Sequence, residues 1–483
     1  MRTFSGYLVV CGAIALLGFS GLSPAAEESV VNIGNRRELF VDDYLIDELD
    51  GARLELHAPQ PREIVLKFDK PWEGLYCAYE TVLEDGDLFR LYYRGMPREE
   101  HSLDVEVTCV AESRDGINWT RPNVGIYEVQ GTRDNNVVLA RSRGCHNLAP
   151  FVDANPNASA EERYKALGGT GKPGLLAFVS ADGLRWKQLQ EDPVITQGAF
   201  DSQNNAFWSP IEGQYVCYFR VFRDQVRWIA RTTSKDFVHW TEPVDLELDG
   251  KPREHLYTNQ IDPYVRAPQI YLGLPTRFFP GRRVVTEAEA QSIGTPTEWD
   301  YANDCTDILL TSSRGGDSFQ RTFLEAFIRP GLDLRNWTSR ANYAARGIVE
   351  TGDAELSLYV MHNSGYPTSH MRRYTLRPDG FVSVYGPYAG GTLVTKPLVF
   401  EGSRLAINYS TSAGGGLRVE LRGTDGKPIE GFALADCPEI VGDRIEHVVR
   451  WKGGGDLGQL AGRPVRLRFE LKDADLYSLR FGE

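Results

Sequence analysis

Three short stretches of this sequence repeat one pattern: SRDGINW at residues 113–119, SADGLRW at 180–186 and SKDFVHW at 234–240. Each has Ser at the first position, Asp at the third and Trp at the last. Ser and Asp side chains bind the backbone groups of a tight bend, and a Trp after the bend supplies a large apolar surface for packing between neighbouring units. The pattern therefore predicts a recurring turn whose residues are structural.

Weaker copies continue the repeat toward the C-terminus. One lies at residues 313–319, with an extra residue before Asp317, and another is RPDGF at 377–381. The Asp positions of the five copies are separated by 67, 54, 81 and 62 residues, a mean of 66. A repeat of this length suits a four-stranded β-propeller blade with long loops. Five copies predict five blades.

The composition agrees with an all-β chain. Short runs rich in Val, Tyr, Phe, Leu and Trp alternate with Gly, Asp, Asn and Pro clusters, and the 483 residues include 48 Gly and 26 Pro. After Pro387 the turn motif is absent and alternating strands follow. We predict a five-bladed β-propeller over residues 27–388, interrupted by a polar insertion at 280–303 in blade 4, followed by a C-terminal β-sandwich over 389–483.

The N-terminus has the pattern of a secretory signal peptide over residues 1–26. Arg2 precedes an apolar run from Tyr7 to Leu17, and small residues follow at positions 23–26. This run is shorter than the roughly 20 apolar residues that a bilayer span needs. We expect a secreted or periplasmic protein without a membrane span. A lipoprotein anchored through Cys11 is the weaker alternative, because Val10 stands where a small residue is expected.

Charge and cysteine usage exclude several classes of function. With 66 acidic and 53 basic residues the formal net charge is −13, which disfavours binding to nucleic acid or to anionic lipid. A neutral or sugar-like partner fits better. No CxxC or HExxH motif is present, which disfavours zinc chemistry, and the six cysteines after residue 26 are expected to be mostly buried small hydrophobes. Disulfide pairing in an exported chain stays open.

The turn motif at blade ends resembles the five-bladed β-propeller glycoside hydrolases, the superfamily of invertases, levanases, arabinanases and β-xylosidases in glycosyl hydrolase families 32 and 43. The resemblance spans about residues 39 to 388. The phrases LFVDDY at 39–44 and DSQN at 201–204 also resemble an exported bacterial group of predicted glycosyl hydrolases. A β-sandwich follows the propeller in invertase-like enzymes too, so the resemblance implies the same fold and a carbohydrate substrate.

In that superfamily the innermost strand of each blade lines a central channel and follows the turn motif of the preceding blade. The segments that follow the motifs here are polar: 145–147, 201–204 and 254–260, then Arg340, Asn342, Tyr343 and Arg346 for blade 5. For blade 1 we expect an inner strand at 76–83. Enclosed polar side chains need hydrogen-bond partners. A bound sugar and a structural network would both supply them.

Hydrolysis of a glycosidic bond requires a carboxylic acid and a carboxylate on either side of it. The channel segments offer Glu80, Asp201 and Glu254. We expect Glu254 to be the general acid and Asp201 or Glu80 the base or nucleophile. The alternative is that a carboxylate only pairs with an arginine of the same region, such as Arg94, Arg277 or Arg346. The WMNDPNG, RDP and EC motifs of invertases are absent, which puts the family's catalytic set in doubt.

The other polar residues of these segments suit recognition of sugar hydroxyls, because amides donate and accept and aromatic rings stack on sugar faces. The expected substrate-binding residues are His146, Asn147, Gln203, Asn204, His255, Tyr257, Asn259 and Arg346. Several arginines facing the channel would favour an anionic sugar. No cofactor is expected, although a channel calcium bound through His146 or His255 and water is left open.

Taken together, the sequence predicts a secreted glycoside hydrolase that cleaves a polysaccharide or oligosaccharide. The alternative is a non-catalytic carbohydrate-binding or scaffold propeller, which the missing motifs favour and which fold alone cannot separate from an enzyme. Phosphorylase, lyase and sialidase-like chemistry are further options on the same frame.

Overall fold

The computed structural model of the protein describes Met1 and residues 30–97, 105–295, 303–338 and 341–483. The predicted signal peptide beyond Met1, including Cys11, lies outside the described residues, as does Arg340. Helical structure is scarce: α1 is Glu287–Ser292, and short 3₁₀ helices occur at Arg143–His146, Ala160–Glu162, Leu334–Trp337 and Leu434–Asp436. Strands account for most of the regular structure, as predicted for an all-β chain. No helix in the described ranges has the length and apolar character needed to cross a membrane.

The described chain opens with five strands that form no blade of their own. They are β1 (Val31–Gly34), β2 (Arg37–Leu39), β3 (Ile46–Asp50), β4 (Arg53–Leu56) and β5 (Gln60–Lys67). All five pair with strands from the C-terminal third of the chain. The N-terminal segment therefore depends on distant sequence for its hydrogen bonds.

Blades 1 to 3 are four-stranded antiparallel sheets in which the strands follow one another in chain order. Blade 1 has β6 (Ala78–Asp85), β7 (Leu88–Gly95), β8 (Val107–Ser113) and β9 (Val137–Ala140). Blade 2 has β10 (Ala149–Val152), β11 (Tyr164–Gly168), β12 (Leu176–Ser180) and β13 (Lys187–Gln188). Blade 3 has β14 (Asn205–Ser209), β15 (Gln214–Arg223), β16 (Val226–Ser234) and β17 (Val244–Asp245).

Blade 4 is interrupted along its length. Its strands are β19 (Asp262–Tyr264), β20 (Ala267–Gly273), β21 (Thr276–Phe279), β22 (Cys305–Ile308), β23 (Thr311–Ser313) and β24 (Ser318–Phe319), the last pairing in parallel with β18 (Glu247–Leu248). The hairpin β21–β22 prolongs the sheet, and the segment that joins its strands carries α1. The polar insertion predicted at 280–303 is therefore found in blade 4, and residues 296–302 of it lie outside the description.

Blade 5 closes the ring. It consists of β25 (Tyr343–Ala344), β26 (Val349–Gly352), β27 (Glu355–His362) and β28 (His370–Leu376), and its outer strand is the N-terminal β5. Successive blades contact one another in the order 1, 2, 3, 4, 5 and back to 1: the inner strands β6, β10, β14 and β19 contact in turn, β22 of blade 4 contacts β25, and β25 contacts β6. Five blades are therefore present in the described residues, as the five turn motifs predicted.

The turn motif forms the tight bend that the sequence predicted, and its Asp side chain caps the backbone of that bend. In the first copy, Asp115 Oδ1 accepts hydrogen bonds from the backbone N–H of Ile117 at 2.8 Å and of Asn118 at 2.7 Å. The same two bonds form at Asp182 and at Asp236. These bonds favour the ionised carboxylate and lower the pKa of Asp115 below its usual range. The motif Asp is thus a fixed, charged cap of the bend.

The first two bends are also bonded to the preceding blade by a tyrosine. Tyr92 of blade 1 donates to the carbonyl of Gly183 in blade 2 at 2.9 Å, and Tyr359 of blade 5 donates to Gly116 in blade 1 at 2.7 Å. The tryptophans of these two motifs contact the same tyrosines edge-on, with ring centroids 6.2 Å apart for Tyr92 and Trp186. These contacts confirm the predicted packing between blades and show how one motif links two of them.

A single eight-stranded sheet forms the rest of the molecule. Its strands are β2, β3 and β4 together with β29 (Val382–Gly386), β30 (Gly391–Thr395), β32 (Arg404–Arg422), β33 (Asp443–Val448) and β34 (Arg466–Gly482); β31 (Leu398–Phe400) pairs separately with β1. The register of β32 with β34 breaks between Thr411 and Gly416, and one apolar cluster draws on both halves of the sheet. The sheet crosses the predicted boundary at residue 388, because β2, β3, β4 and β29 belong to it.

Asp379, the Asp of the fifth turn motif, joins the two parts. It is fully buried and accepts hydrogen bonds from Arg37 at 3.1 Å and Ser478 at 2.7 Å, both in the C-terminal sheet. Its other oxygen accepts from Tyr264 at 2.8 Å and Arg266 at 3.0 Å in blade 4. The last copy of the motif therefore fastens the propeller to the neighbouring sheet.

The cysteines behave as the sequence predicted for small apolar residues. All six after residue 26 are buried, and none is disulfide-bonded.

Candidate active site

The predicted polar segments meet at one end of the ring. They stop just before the inner strands: Asn147 precedes β10, Asn204 precedes β14 and Gln260 precedes β19. Glu80 is the exception, because it lies within the inner strand β6 itself. The sequence located these segments correctly along the chain, while the structure shows that most of them connect blades and do not form strands.

Asp201 is the exposed carboxylate at this end. Its side chain is 55% exposed, yet three groups bind it. Oδ1 accepts hydrogen bonds from the Tyr79 hydroxyl at 3.0 Å and from His146 Nε2 at 3.1 Å, and Arg220 Nη2 lies 3.5 Å from Oδ2. Enclosure alone would raise the pKa of Asp201, but the bonds to His146 and Tyr79 and the charge of Arg220 hold it well below its usual range. Asp201 is therefore ionised and reachable from solvent.

His146 connects Asp201 to a second carboxylate. Its Nδ1 lies 3.0 Å from both oxygens of Glu106, a buried residue that the sequence argument missed. Burial would lower the pKa of His146, and the hydrogen bonds to Asp201 and Glu106 outweigh burial and raise it. Arg94 contacts both Glu106 and Tyr79: its Nη1 lies 3.7 Å from Glu106 Oε1, and its guanidinium carbon lies 4.9 Å from the ring centre of Tyr79.

Glu80 has the opposite character. It is fully buried, and neither of its carboxylate oxygens has a hydrogen-bond partner among the described residues. Burial raises its pKa to about 7. A bulge between Ala78 and Thr81 displaces this part of β6, where Tyr79 takes a φ of 60°, a backbone conformation that non-glycine residues rarely adopt. The bulge places the Tyr79 hydroxyl on Asp201 while Glu80 stays inside.

We call Asp201 and the residues that contact it or His146 the Asp201 cluster, which consists of Tyr79, Arg94, Glu106, His146, Asp201 and Arg220. Glu254 has no hydrogen bond or ion pair with this cluster in the described residues. Its carboxylate is bound by Arg321, and Arg277 Nη1 lies 3.9 Å away. Arg277 in turn pairs with Asp307 at 2.7 Å, and Asp304 accepts from the backbone N–H of Gly281. A carboxylate whose charge is paired with guanidinium groups suits a structural ion pair better than a proton donor. The contacts thus favour the arginine-paired alternative for Glu254.

The side-chain amides of Asn147 and Asn204, which we expected to bind sugar hydroxyls, form hydrogen bonds with backbone groups instead. Asn147 Nδ2 donates to the carbonyls of Phe200 at 2.7 Å and Ser202 at 2.6 Å, and its Oδ1 accepts from the Gly169 N–H. Asn204 donates to the same two carbonyls at 3.1 and 3.0 Å. These amides shape the segment that carries Asp201.

Deeper in the channel, side chains bind one another across the ring. Gln203 donates to Thr81 Oγ1 at 2.6 Å and to the carbonyl of Glu80 at 3.0 Å, linking blade 3 to blade 1. Gln260 donates to Gln203 Oε1 at 2.6 Å, and Asn259 donates to the Gln203 carbonyl at 3.2 Å. In this network the side chains of Gln203 and Asn259 have protein partners, which is the structural explanation that the sequence had left open for them.

Arg346 belongs to the same network. It is 1% exposed, pairs with Asp262 at 2.8 Å, and donates to carbonyls of blades 2 and 3 at Pro150 and Ala206. Of the expected channel arginines that the structure describes, Arg94 lies against Glu106 and Tyr79, whereas Arg277 is paired with Asp307 and Arg346 with Asp262.

His255 and Tyr257 lie beside the cluster, on the segment that leads into blade 4. His255 Nδ1 accepts from the backbone N–H of Arg227 at 3.3 Å, and burial together with the Arg227 charge lowers its pKa. Tyr257 is buried and stacks on Tyr343 at 5.4 Å. The sequence argument missed Arg220 and Arg227 because they come from the second and third strands of blade 3, which no motif marks.

Metal binding has no direct support in the described residues. No group of three or more His, Cys, Asp or Glu side chains there is arranged to hold an ion. The calcium considered at His146 or His255 stays a prediction.

Comparison with known proteins gives carbohydrate-active structures. The chain matches no protein-family profile and no curated protein. Among solved structures, one described as a glycoside hydrolase is 11% identical, covers 66% of this chain and 92% of its own length, and has a TM-score of 0.45. A family 43 arabinoxylan arabinofuranohydrolase from Bacillus subtilis, solved with cellotetraose, is 12% identical, covers 85% of this chain and 96% of its own, and has a TM-score of 0.40.

A third similar structure is described as belonging to the family 130 mannoside phosphorylases, which contains glycoside hydrolases that target β-1,2 mannosidic linkages in Candida mannan. It is 15% identical, with 70% of this chain and 96% of its own covered at a TM-score of 0.42.

Proposed function

We propose that the protein is a glycoside hydrolase whose active site is the Asp201 cluster at the end of the propeller ring. The observation that carries the proposal is Asp201 itself: an ionised carboxylate, 55% exposed, held by Tyr79, His146 and Arg220. A fixed carboxylate at the mouth of a channel is suited to attack an anomeric carbon or to activate water. The substrate would be a polysaccharide or oligosaccharide, and the N-terminal pattern supports action outside the cytoplasm.

The proton donor that this chemistry needs is best supplied by Glu80. A general acid must carry a proton near neutral pH, and burial raises the pKa of Glu80 to about 7. Glu80 follows Tyr79 in the chain, and its carbonyl accepts from Gln203, two residues beyond Asp201. Since both carboxyl oxygens are enclosed, donation from Glu80 requires a relaying water molecule or a local opening of the bulge. Two carboxyl groups in opposite protonation states are the arrangement that such hydrolysis uses.

His146 acts in this proposal as a positioning residue. Its two ring nitrogens bridge Glu106 and Asp201, so that it orients the Asp201 carboxylate and places a positive charge beside it. Tyr79 donates to the same Asp201 oxygen, which leaves Oδ2 as the less occupied one.

The test is a screen of polysaccharides for release of reducing ends, followed by substitution. We expect Asp201→Asn and Glu80→Gln each to lower kcat by about 100- to 10,000-fold on any substrate found. The matched control is Glu254→Gln, which removes a carboxylate of the same region that is paired with arginines. It should change kcat by less than about threefold, since the proposal gives it no chemical step.

A non-catalytic carbohydrate-binding propeller is the second candidate, favoured by the enclosure of Glu80 and the arginine pairing of Glu254. It predicts that oligosaccharides bind without being cleaved and that Asp201→Asn changes only affinity. Hydrolysis that survives in Asp201→Asn would contradict the assigned site while leaving the enzyme class intact.

A further inference from the structure

The tip of the blade 3 hairpin carries two arginines against one exposed aromatic ring. Arg220 and Phe222 project from the same face of β15, because alternate residues of a strand share a face, and Arg227 of β16 pairs directly opposite Phe222. Each guanidinium carbon lies 5.5 Å from the centre of the Phe222 ring. The Phe222 ring is 45% exposed. We call Arg220 and Arg227 the blade 3 arginine pair.

A second ring lies on the inner side of this pair. The guanidinium carbons of Arg220 and Arg227 are 5.0 and 5.5 Å from the centre of Tyr257, which is itself stacked on Tyr343. Aromatic faces attract cations and keep their positions fixed. The arginine pair is therefore held at a defined place beside the Asp201 cluster.

Arg220 reaches Asp201 and still has a donor left over. Its Nε donates to the Ala199 carbonyl at 3.0 Å, and its Nη2 lies 3.5 Å from Asp201 Oδ2. Nη1 has no hydrogen-bond partner among the described residues, although Arg220 is only 5% exposed. A buried donor without a partner is costly, so its presence beside an open carboxylate indicates that a ligand completes it.

The charges around Asp201 are predominantly positive. Arg94 and the arginine pair contribute three guanidinium groups, and His146 binds a proton more readily than an ordinary histidine. Asp201 and Glu106 are the carboxylates directly bonded to this group. In a chain of net charge −13, such a local excess of cations favours an anion at this position.

We propose that the glycan bound at this site carries an anionic group, a carboxylate or a sulfate ester, which the blade 3 arginine pair binds while its sugar ring stacks on Phe222. This proposal rests on the proposed glycosidase function, because it places the charged sugar next to Asp201. Guanidinium groups bind carboxylate and sulfate oxygens through charge-assisted hydrogen bonds, and an exposed aromatic ring offers its face to the apolar side of a sugar.

The experiment compares polymers with the same sugar backbone and different charge. Polygalacturonate is paired with its fully methyl-esterified form, and a sulfated carrageenan with its desulfated form, so that the two pairs also distinguish carboxylate from sulfate. Binding is measured by affinity electrophoresis and cleavage by release of reducing ends. We expect the charged member of at least one pair to be preferred by about tenfold or more, with a preference that weakens as salt is added.

Variants assign the preference to the arginine pair. Arg227→Gln should reduce the charged-to-neutral ratio to within about threefold, whereas Phe222→Ala should weaken both members of a pair alike. The control is Arg253→Gln, which removes an arginine on the segment between blades 3 and 4, one that is 42% exposed and paired with Asp245. It should leave the ratio unchanged, and thermal melting of each variant checks its folding.

The outcomes separate this proposal from the proposed function. Cleavage of neutral and charged members at equal rates overturns the anionic substrate and leaves the glycosidase in place. If a charged polymer binds without being cleaved and Arg227→Gln abolishes that binding, the anionic ligand is supported and the proposed glycosidase function is overturned. Failure of both charged polymers to bind, or an unchanged ratio in Arg227→Gln, overturns the anion proposal.

Discussion

His146 Nε2 lies 3.1 Å from Asp201 Oδ1, and the other nitrogen of the same ring lies 3.0 Å from Glu106. One imidazole thus joins a buried carboxylate to an exposed one. A protonated imidazole can donate to both, whereas a neutral one can donate to only one of them. The two carboxylates therefore stabilise the imidazolium form, and the imidazolium in turn keeps Asp201 ionised.

This relationship predicts that Asp201→Asn lowers the pKa of His146. The substitution removes one of the two carboxylates that raise it, while burial continues to act in the opposite direction. We expect the pKa of His146 to fall, measured by following the histidine ring signals in an NMR titration. His370 of blade 5, whose pKa is lowered by burial and owes nothing to Asp201, provides the internal reference and should not move. An unchanged His146 titration would show that the bond to Asp201 does not form in solution.

Glu80 should make stability depend on pH. Its folded pKa is about 7 and its ordinary value 4.5, so burial of the neutral acid contributes stability that is fully present below about pH 4.5 and is lost as pH rises through about 7. Glu80→Gln cannot ionise. At about pH 8.5 this variant should therefore be more stable than the natural protein by up to roughly 3 kcal/mol, with little difference near pH 4.5.

Urea unfolding at the two pH values measures this difference. The control is Glu254→Gln, whose carboxylate is paired with arginines and should give no gain at high pH. Equal stability of Glu80→Gln and the natural protein across the range would mean that Glu80 is solvated in solution.

The junction between the propeller and the C-terminal sheet should be sensitive to one charge. Asp379→Asn removes the buried carboxylate charge that binds Arg37 and Arg266, and leaves each guanidinium group with its second partner, Glu446 or Glu350. Because hydrogen bonds between charged groups are lost from a buried position, we expect a loss of about 1.5–3 kcal/mol in the free energy of unfolding. The exposed pair of Arg53 and Glu55 is the control, since Glu55→Gln should cost less than about 1 kcal/mol. A loss in Asp379→Asn no larger than that in Glu55→Gln would show that Asp379 does not stabilise the junction.

The turn motif should tolerate no side chain at its glycine. Gly183 has a φ of 73°, and an added Cβ would lie 2.5 Å from Arg90 Nη1 and 2.6 Å from the Tyr92 hydroxyl that fastens the blades. Gly213 has a similar φ of 61° with open space around it. Gly213→Ala should cost about 1 kcal/mol from backbone strain alone, and Gly183→Ala clearly more. Equal melting temperatures for the two variants would show that the contact with Tyr92 is dispensable.

Much of the fold follows from local signals in the sequence. The Ser, Asp and Trp of the turn motif act within seven residues, so that their spacing predicts both the bend and the number of blades. These signals do not predict the strand pairing of β5, which completes blade 5, or of β2, β3 and β4, which lie in the C-terminal sheet. Such pairings join residues more than 300 positions apart, and no short pattern encodes them.

The candidate site was predictable in part for the same reason. Counting onward from a motif located His146 and Asp201, because the inner strand of the next blade follows each turn, and Glu80 was expected in the inner strand of blade 1, which no motif precedes. It could not show that Gln203, Asn259 and Arg346 are occupied by contacts between blades, since a satisfied amide and a free one look alike in a sequence. Nor could it find Glu106 or Arg220, which stand on segments without a motif.

The sequence by itself determined the repeating turns, the all-β class and the chain positions of the channel segments, because each depends on residues that are close together along the chain. Only the tertiary structure decided which carboxylate is ionised, which is enclosed and which is paired with arginine. Those states depend on burial and on charges from elsewhere in the fold: Arg220 beside Asp201, the complete burial of Glu80, and Arg321 on Glu254. These groups shift the pKa of a carboxyl only after folding has brought the blades together.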